Sequence, residues 1–305
     1  MRRGPSKLVT SLAITGVAVL SACGCEATVN GTTPESALTV VVPQGRMAPL
    51  PEAPPDEPAA TFGGLGERIR RVTADAADGG AQISVVVLDR NTGQIVSGGD
   101  DAPFPIASVV KLFIADDLLL QEAKGETKLS PADRSALDVM LRSSDDDAAE
   151  NFWNRSGGSD IVTRVAARYD LTNTTKPYNG KWDLTTSTAG DLVRYYDKLL
   201  SGSGGLPSEQ ANVILANLAQ STPTGMDGYP QRFGIPDGLY AEPVAVKQGW
   251  FCCWSGANQL HVSTGVIGPG RRYVMAVGSL DPTGEAAARE HITNAVKAIF
   301  PGGRI

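Results

Sequence analysis

This 305-residue chain is short of the residues from which several kinds of function are built. It has two histidines, His261 and His291, far apart in sequence, and no run of His, Cys and acidic residues at ligand spacing. Metal chemistry is therefore not expected, and no cofactor motif stands out. Basic residues do not exceed acidic ones: 27 Lys and Arg stand against 33 Asp and Glu. That balance disfavours nucleic acid as a partner, because neutralising phosphates requires a surplus of cations. Uninterrupted apolar stretches are short as well. The predominantly apolar run Leu8 to Leu20, broken by Thr10, Ser11 and Thr15, is itself too short to span a bilayer. There is no internal repeat at a fixed period.

What is present begins with Arg2, Arg3 and Lys7 ahead of that apolar run, which closes on Leu20-Ser21-Ala22-Cys23. This is the pattern of a secretory signal, residues 1–22, ending in a lipobox. Cys23 would become the acylated N-terminus of an extracytoplasmic, membrane-anchored protein, since two acyl chains hold stably where one does not. Removing residues 1–22 takes away three positive charges and no acid, and moves the net charge from -6 to -9. Residues 23–60 are rich in Pro, Ala and Thr and have neither helical nor strand period, so they are expected to form a tether reaching on the order of 100 Å. Residues 61–305 are one domain's worth of chain. With Cys23 acylated, Cys25, Cys252 and Cys253 leave an odd count in an oxidising compartment. A disulfide between adjacent Cys252 and Cys253, a bridge to Cys25, and two small buried thiols are each compatible with it.

Along the domain, Leu65 to Ala77 has helical spacing, Ile83 to Leu88 and Ile95-Val96 form a hairpin about Asn91-Thr92-Gly93, and a buried helix contains Ser108. Helices follow over Pro131 to Arg142, Ala148 to Trp153, Ile161 to Tyr169, Ala189 to Leu200 and Pro207 to Leu218. Strands return at Pro243 to Lys247, Leu260 to Ile267 and Tyr273 to Val277, before a closing helix over Glu285 to Phe300. The fold class is α+β, an α/β sandwich. One antiparallel sheet is drawn from both ends of the domain, with terminal helices on one face and an all-helical subdomain on the other.

Ser108 and Lys111 lie three apart, on one helix face, so an amine sits where it can take the hydroxyl's proton. Alone, Ser-x-x-Lys occurs by chance roughly once in such a chain. Here it is followed about 36 residues on by Ser144-Asp145-Asp146, and about 100 later by Lys247-Gln248-Gly249 on a strand. A polar turn such as 143–147 also serves simply to cap a helix, Asp116 and Asp117 are expected as helix-surface or network residues, and His291 as a helix-face residue. The three motifs together resemble those of class A β-lactamases and penicillin-binding transpeptidases. Asp183-Leu184-Thr185-Thr186 is similar to the segment that closes the loop below the site in that family. The stretch Gln220 to Gly225 with Lys247 to Trp250 resembles the LppW type of alanine-rich actinobacterial lipoproteins.

The resemblance implies that Ser108 is the acylated nucleophile, Lys111 its base, Ser144 a proton relay and Lys247 the anchor for a substrate carboxylate. The backbone N–H groups of Ser108 and Trp250 would form the oxyanion hole, and Asp146, Gln248 and Gly249 would touch substrate. Three departures bear on activity. Asp146 replaces an amide and, when ionised, raises the pKa of Lys111 and so makes it a weaker proton acceptor, Gln248 replaces a hydroxyl residue, and no Glu lies between Glu150 and Glu209 to drive deacylation. Two functions are therefore expected to compete. One is a serine acyl hydrolase or transferase acting on a cell-wall peptide, amide or ester, with no efficient β-lactam turnover. The other is a degenerate binding or scaffold lipoprotein of the same fold. The oligomeric state is left open.

Overall fold

The computed structural model describes residues 62–305, and the expected signal, tether and Cys23 anchor lie outside that range. The domain opens with helix α1 (Phe62–Asp78), whose apolar stripe buries Leu65, Ile69 and Val72. Strands β1 (Gln82–Asp89) and β2 (Gln94–Gly98) form the expected hairpin, with Gly93 at φ 72° in its turn. A two-residue strand β3 (Phe104–Pro105) leads into a 3-10 turn at Ala107–Val110 and then α2 (Lys111–Ala123). The single helix expected around Ser108 is thus a tight turn followed by an α-helix, with Ser108 in the turn.

Helices α3 (Pro131–Arg142), α4 (Asp146–Arg155), α5 (Asp160–Tyr169), α6 (Ala189–Ser201) and α7 (Ser208–Leu218) build the helical layer around α2. Strand β4 (Thr186–Ser187) pairs with β3 just ahead of α6. Each start has a chemical cause. Ser130 and Asp133 make a capping box at α3, Asp145 accepts from the N–H of Ala148 at α4, and Thr188 accepts from that of Asp191 at α6. Helix α2 is apolar nearly all round because it is enclosed on every side. Of the two roles expected for its aspartates, the structure shows the network one. Asp116 is fully buried, where Arg168, Tyr169 and Tyr195 donate to it, and Asp117 receives a forked pair of bonds from Arg164.

After a short helix α8 (Ile235–Gly238) the chain returns to the sheet through β5 (Val244–Trp254), β6 (Asn258–Ile267) and β7 (Tyr273–Asp281), and ends in α9 (Glu285–Ile299). The sheet order is β2-β1-β7-β6-β5, antiparallel throughout. β1 and β7 thus join the two ends of the domain. One face packs on α1 and α9, and the other on the helical layer, as two separate apolar cores. His291 is a helix-face residue, its ring nitrogen 2.8 Å from the buried Asp281 carboxylate.

His261 of β6 is 1% exposed, with its Nε2 2.6 Å from the Tyr229 hydroxyl. Burial, helped by the nearby Arg289 guanidinium, lowers its pKa from 6.5 to about 4. The unfolded chain therefore holds more protons there between these values, and stability falls as pH drops through that window. The loss expected from this group is about 3 kcal/mol. Urea unfolding of the wild type and of His261→Phe across the window checks it: the wild type should lose more, by that amount.

Candidate active site

Three elements bring the site together. The 3-10 turn carrying Ser108 is fixed by the Ile106 N–H, which donates to the Thr185 carbonyl at 2.9 Å, and by the β3–β4 pair. The turn before α4 carries Ser144. It is stitched to the loop that follows α7, where the N–H of Met226 donates to the Ser143 carbonyl at 2.8 Å, and Gln231 donates to the carbonyls of Arg142 and Thr222, both at 2.7 Å. Strand β5, at the edge of the sheet, carries Lys247. Ala107 and Ser144 have φ of 46° and 57°, left-handed conformations that residues with a Cβ adopt only at a cost of order 1 kcal/mol each. Both flank or form the cluster.

Lys111 Nζ is completely buried and donates to Ser108 Oγ at 2.8 Å, to the Ser144 carbonyl at 2.7 Å and to Asp146 Oδ1 at 2.5 Å. Lys247 Nζ donates to Ser144 Oγ and, at 3.0 Å, to the Gln248 carbonyl. Ser144 is thus the link between two buried amines, one on its carbonyl and one on its hydroxyl. Burial lowers the pKa of Lys111, and the Asp146 carboxylate opposes that shift. Lys247 is pushed well below the ordinary lysine range, by burial first and then by the neighbouring Lys111 charge. Bare burial of two amines favours their neutral, proton-accepting forms. The Asp146 carboxylate, on a side chain 65% exposed, opposes that shift at both amines but forms an ion pair with Lys111.

The structure therefore brings Ser108, Lys111, Ser144, Asp146 and Lys247 together. Gly249 joins them through its backbone: a Cβ placed there would come within 2.5 Å of the Ile106 carbonyl and 3.2 Å of the Ser108 nitrogen. Only glycine lets β5 lie this close to the nucleophile's turn. Gly249→Ala is expected to push that turn away, at a cost of about 1–3 kcal/mol in stability, with a larger relative loss of reactivity at Ser108. Thermal melts paired with probe-labelling rates separate the two effects.

Gln248 does not touch the site. Alternation along β5 turns Lys247 and Gly249 to the helical layer but Gln248 and the Trp250 ring to the opposite face. There Gln248 is 1% exposed and donates to the Phe233 carbonyl at 2.5 Å, so its side chain is turned away from the cluster. The Trp250 ring stacks on Tyr229 at 4.7 Å. Trp182, which the sequence did not single out, lies with its ring 4.7 Å from Lys111 Nζ and its N–H 3.1 Å from Glu150 Oε2. Its neighbour Asp183 has its pKa raised by burial and by the Asp146 charge. Cys252 and Cys253 are joined to each other at the exposed end of β5. Among the described residues, no group of three or more His, Cys, Asp or Glu could hold a metal ion, and no helix is long and apolar enough to cross a membrane.

A helical layer and a terminal-helix layer about a five-stranded antiparallel sheet, with Ser-x-x-Lys at their junction, define the class A β-lactamase fold. The structure of a class A β-lactamase from Mycobacterium abscessus superposes with a TM-score of 0.59 at 22% identity, covering 76% of this chain and 97% of that one. The TLA-1 extended-spectrum β-lactamase gives 0.64 at 14%, covering 78% and 98%. The model of a β-lactamase enzyme family, Beta-lactamase2, matches residues 64–134, the segment that includes Ser108 and Lys111. Over their whole length, the lipoproteins named LppW of Mycobacterium tuberculosis and Mycobacterium bovis are 56% identical to this chain, which they cover completely. The chain belongs to the LppW lipoprotein family.

Proposed function

We propose that this protein is a lipid-anchored component of the cell envelope that transfers or hydrolyses an acyl group through Ser108 and turns over β-lactams poorly. The observation that carries this reading is the 2.8 Å contact between Ser108 Oγ and Lys111 Nζ, joined through Ser144 to Lys247. A neutral Lys111 accepts the Ser108 proton as Oγ attacks a carbonyl carbon, and the carbonyl electron pair moves to the oxygen, facing the N–H groups of Ser108 and Trp250. Collapse breaks the bond to the leaving atom. That atom takes the Ser144 hydroxyl proton, and the proton that Lys111 received from Ser108 returns to Ser144, so that neither amine ends the step with a changed charge. With no glutamate between Glu150 and Glu209, the ester on Ser108 is expected to persist when the acyl group comes from a β-lactam. The name lipoprotein carried by the relatives supports a lipid anchor, and the lipobox assigns it to Cys23.

Intact-mass analysis after incubation with a fluorescent penicillin and with an activated serine probe tests this. An adduct on the wild type, mapped to Ser108 and missing from Ser108→Ala, is the expected result, and no adduct with either reagent overturns it. The Lys111–Asp146 ion pair and the 8% exposure of Ser108 favour a second reading, a binding protein that has given up the chemistry. In that case envelope fragments stabilise wild type and Ser108→Ala equally, and neither reacts.

A further inference from the structure

In a chain of which 20% of residues are charged, Gln248 to Gly270 contain no Asp, Glu, Lys or Arg. The β5–β6 hairpin at the rim of the site lies in this stretch, and its tip carries Phe251, Trp254, Ser255, Asn258 and Gln259. Strict alternation would put Trp254 on the face opposite Phe251. It does not do so, because the register with β6 shifts between Cys252 and Trp254. One extra residue, Cys253, is accommodated there, and the Cys252–Cys253 disulfide ties the irregularity shut. Trp254 therefore comes to the side of Phe251, ring centres 6.4 Å apart and planes at 81°. Phe251 packs on the helical-layer core, the face of β5 that also presents Lys247 and Gly249. Both rings are half-buried, and the exposed disulfide lies between them in sequence.

We infer that this tip is a saccharide-binding rim, with Trp254 and Phe251 as its apolar surface and the Asn258 and Gln259 side chains as its hydrogen-bonding edge. A pyranose has apolar C–H faces and a belt of hydroxyls, and it carries no charge. Half-exposed aromatic rings match the first, amide oxygens match the second, and the absence of ionised groups matches the third. The amide nitrogens are engaged, Asn258 Nδ2 with the Ser255 carbonyl at 3.2 Å and Gln259 Nε2 with Cys252 Sγ at 3.3 Å, so these side chains offer their oxygens to a ligand's hydroxyls. A hydrocarbon chain would leave that amide edge without partners. The inference rests on the reading that the adjoining cleft handles an envelope polymer, and it assigns the sugar portion of that polymer to the hairpin.

Isothermal titration of chitotriose and of maltotriose into Ser108→Ala tests it without any need for acylation, so a failure to label Ser108 leaves this result intact. Binding of at least one trisaccharide is expected, with a blue shift in tryptophan emission. Trp254→Ala should weaken it at least tenfold, Trp254→Phe should largely retain it, and replacing both Cys252 and Cys253 by Ser should weaken it with the melting temperature of the domain nearly unchanged. Absence of binding by either sugar, or equal binding by Trp254→Ala in a folded domain, overturns the proposal. So does tighter binding of N-octanoylglycine than of both sugars.

Discussion

Asp146→Asn is expected to raise the rate at which Ser108 reacts with an acylating probe by at least tenfold near neutral pH. When protonated, Lys111 has all its donors satisfied, by Ser108 Oγ, the Ser144 carbonyl and Asp146 Oδ1. A group holding its proton in three directions cannot take another. Of the influences on that amine, burial favours loss of the proton and the Asp146 charge favours keeping it. Replacing the carboxylate by its neutral isostere removes the largest opposition to burial and leaves only the weaker Asp145 and Asp227 charges. Each unit by which the lysine pKa then falls raises the neutral fraction about tenfold, as long as that fraction is small. The rate measured against pH should rise at a lower pH in the variant, and superimposable profiles would show that Asp146 does not control the base. The same variant also gives the second reading of function its clearest trial, because a site emptied only by one carboxylate should regain reactivity when that carboxylate is removed.

Asp116→Ala is expected to cost about 3–5 kcal/mol of folding stability, the largest single effect among the charged positions. Its carboxylate is completely buried and accepts from the Arg168 guanidinium and from the hydroxyls of Tyr169 and Tyr195. Burial alone pushes its pKa up, and Arg168 and Tyr169 hold it back down. Truncation removes the shared acceptor and leaves a guanidinium and two phenols enclosed among apolar side chains. Guanidinium unfolding should show the midpoint displaced by that amount with the slope little changed. A loss below 1 kcal/mol would mean that water replaces the carboxylate. Since α2 begins at Lys111, loosening its middle at Asp116 is also expected to lower reactivity at Ser108.

What could be read before the coordinates, and what could not, divides along physical lines. Ser108 and Lys111 were legible because a turn of helix fixes the relation of residues three apart whatever surrounds it. Lys247 was legible through order and strand context, and the sheet through β-branched runs at both ends of the domain. Gln248 was not, since adjacent strand residues point to opposite faces, and which face belongs to the site depends on packing. β5 runs on to Trp254 although the pattern suggested an end at Lys247, because Gly249 and the paired cysteines interrupt the apolar alternation that marks a strand. The Trp182 lid over Lys111 and the partners of Asp116 come from segments distant in sequence, and no local pattern announces such meetings. Asp145, by contrast, caps α4 as a bland turn residue would, while Ser144 and Asp146 beside it face the amines. One short polar turn does both jobs.

Because β1 finds its neighbour in β7, with Gln82 opposite Leu280, the first strand to be synthesised has to wait for nearly the last. Contacts closed over such a span are slow to form. A chain emerging from a narrow exit, N-terminus first, would hold its helical middle with no sheet to rest against until the final strands were free. The same wiring makes loss of even the last strand and helix ruinous, since it would unseat the first strand along with them.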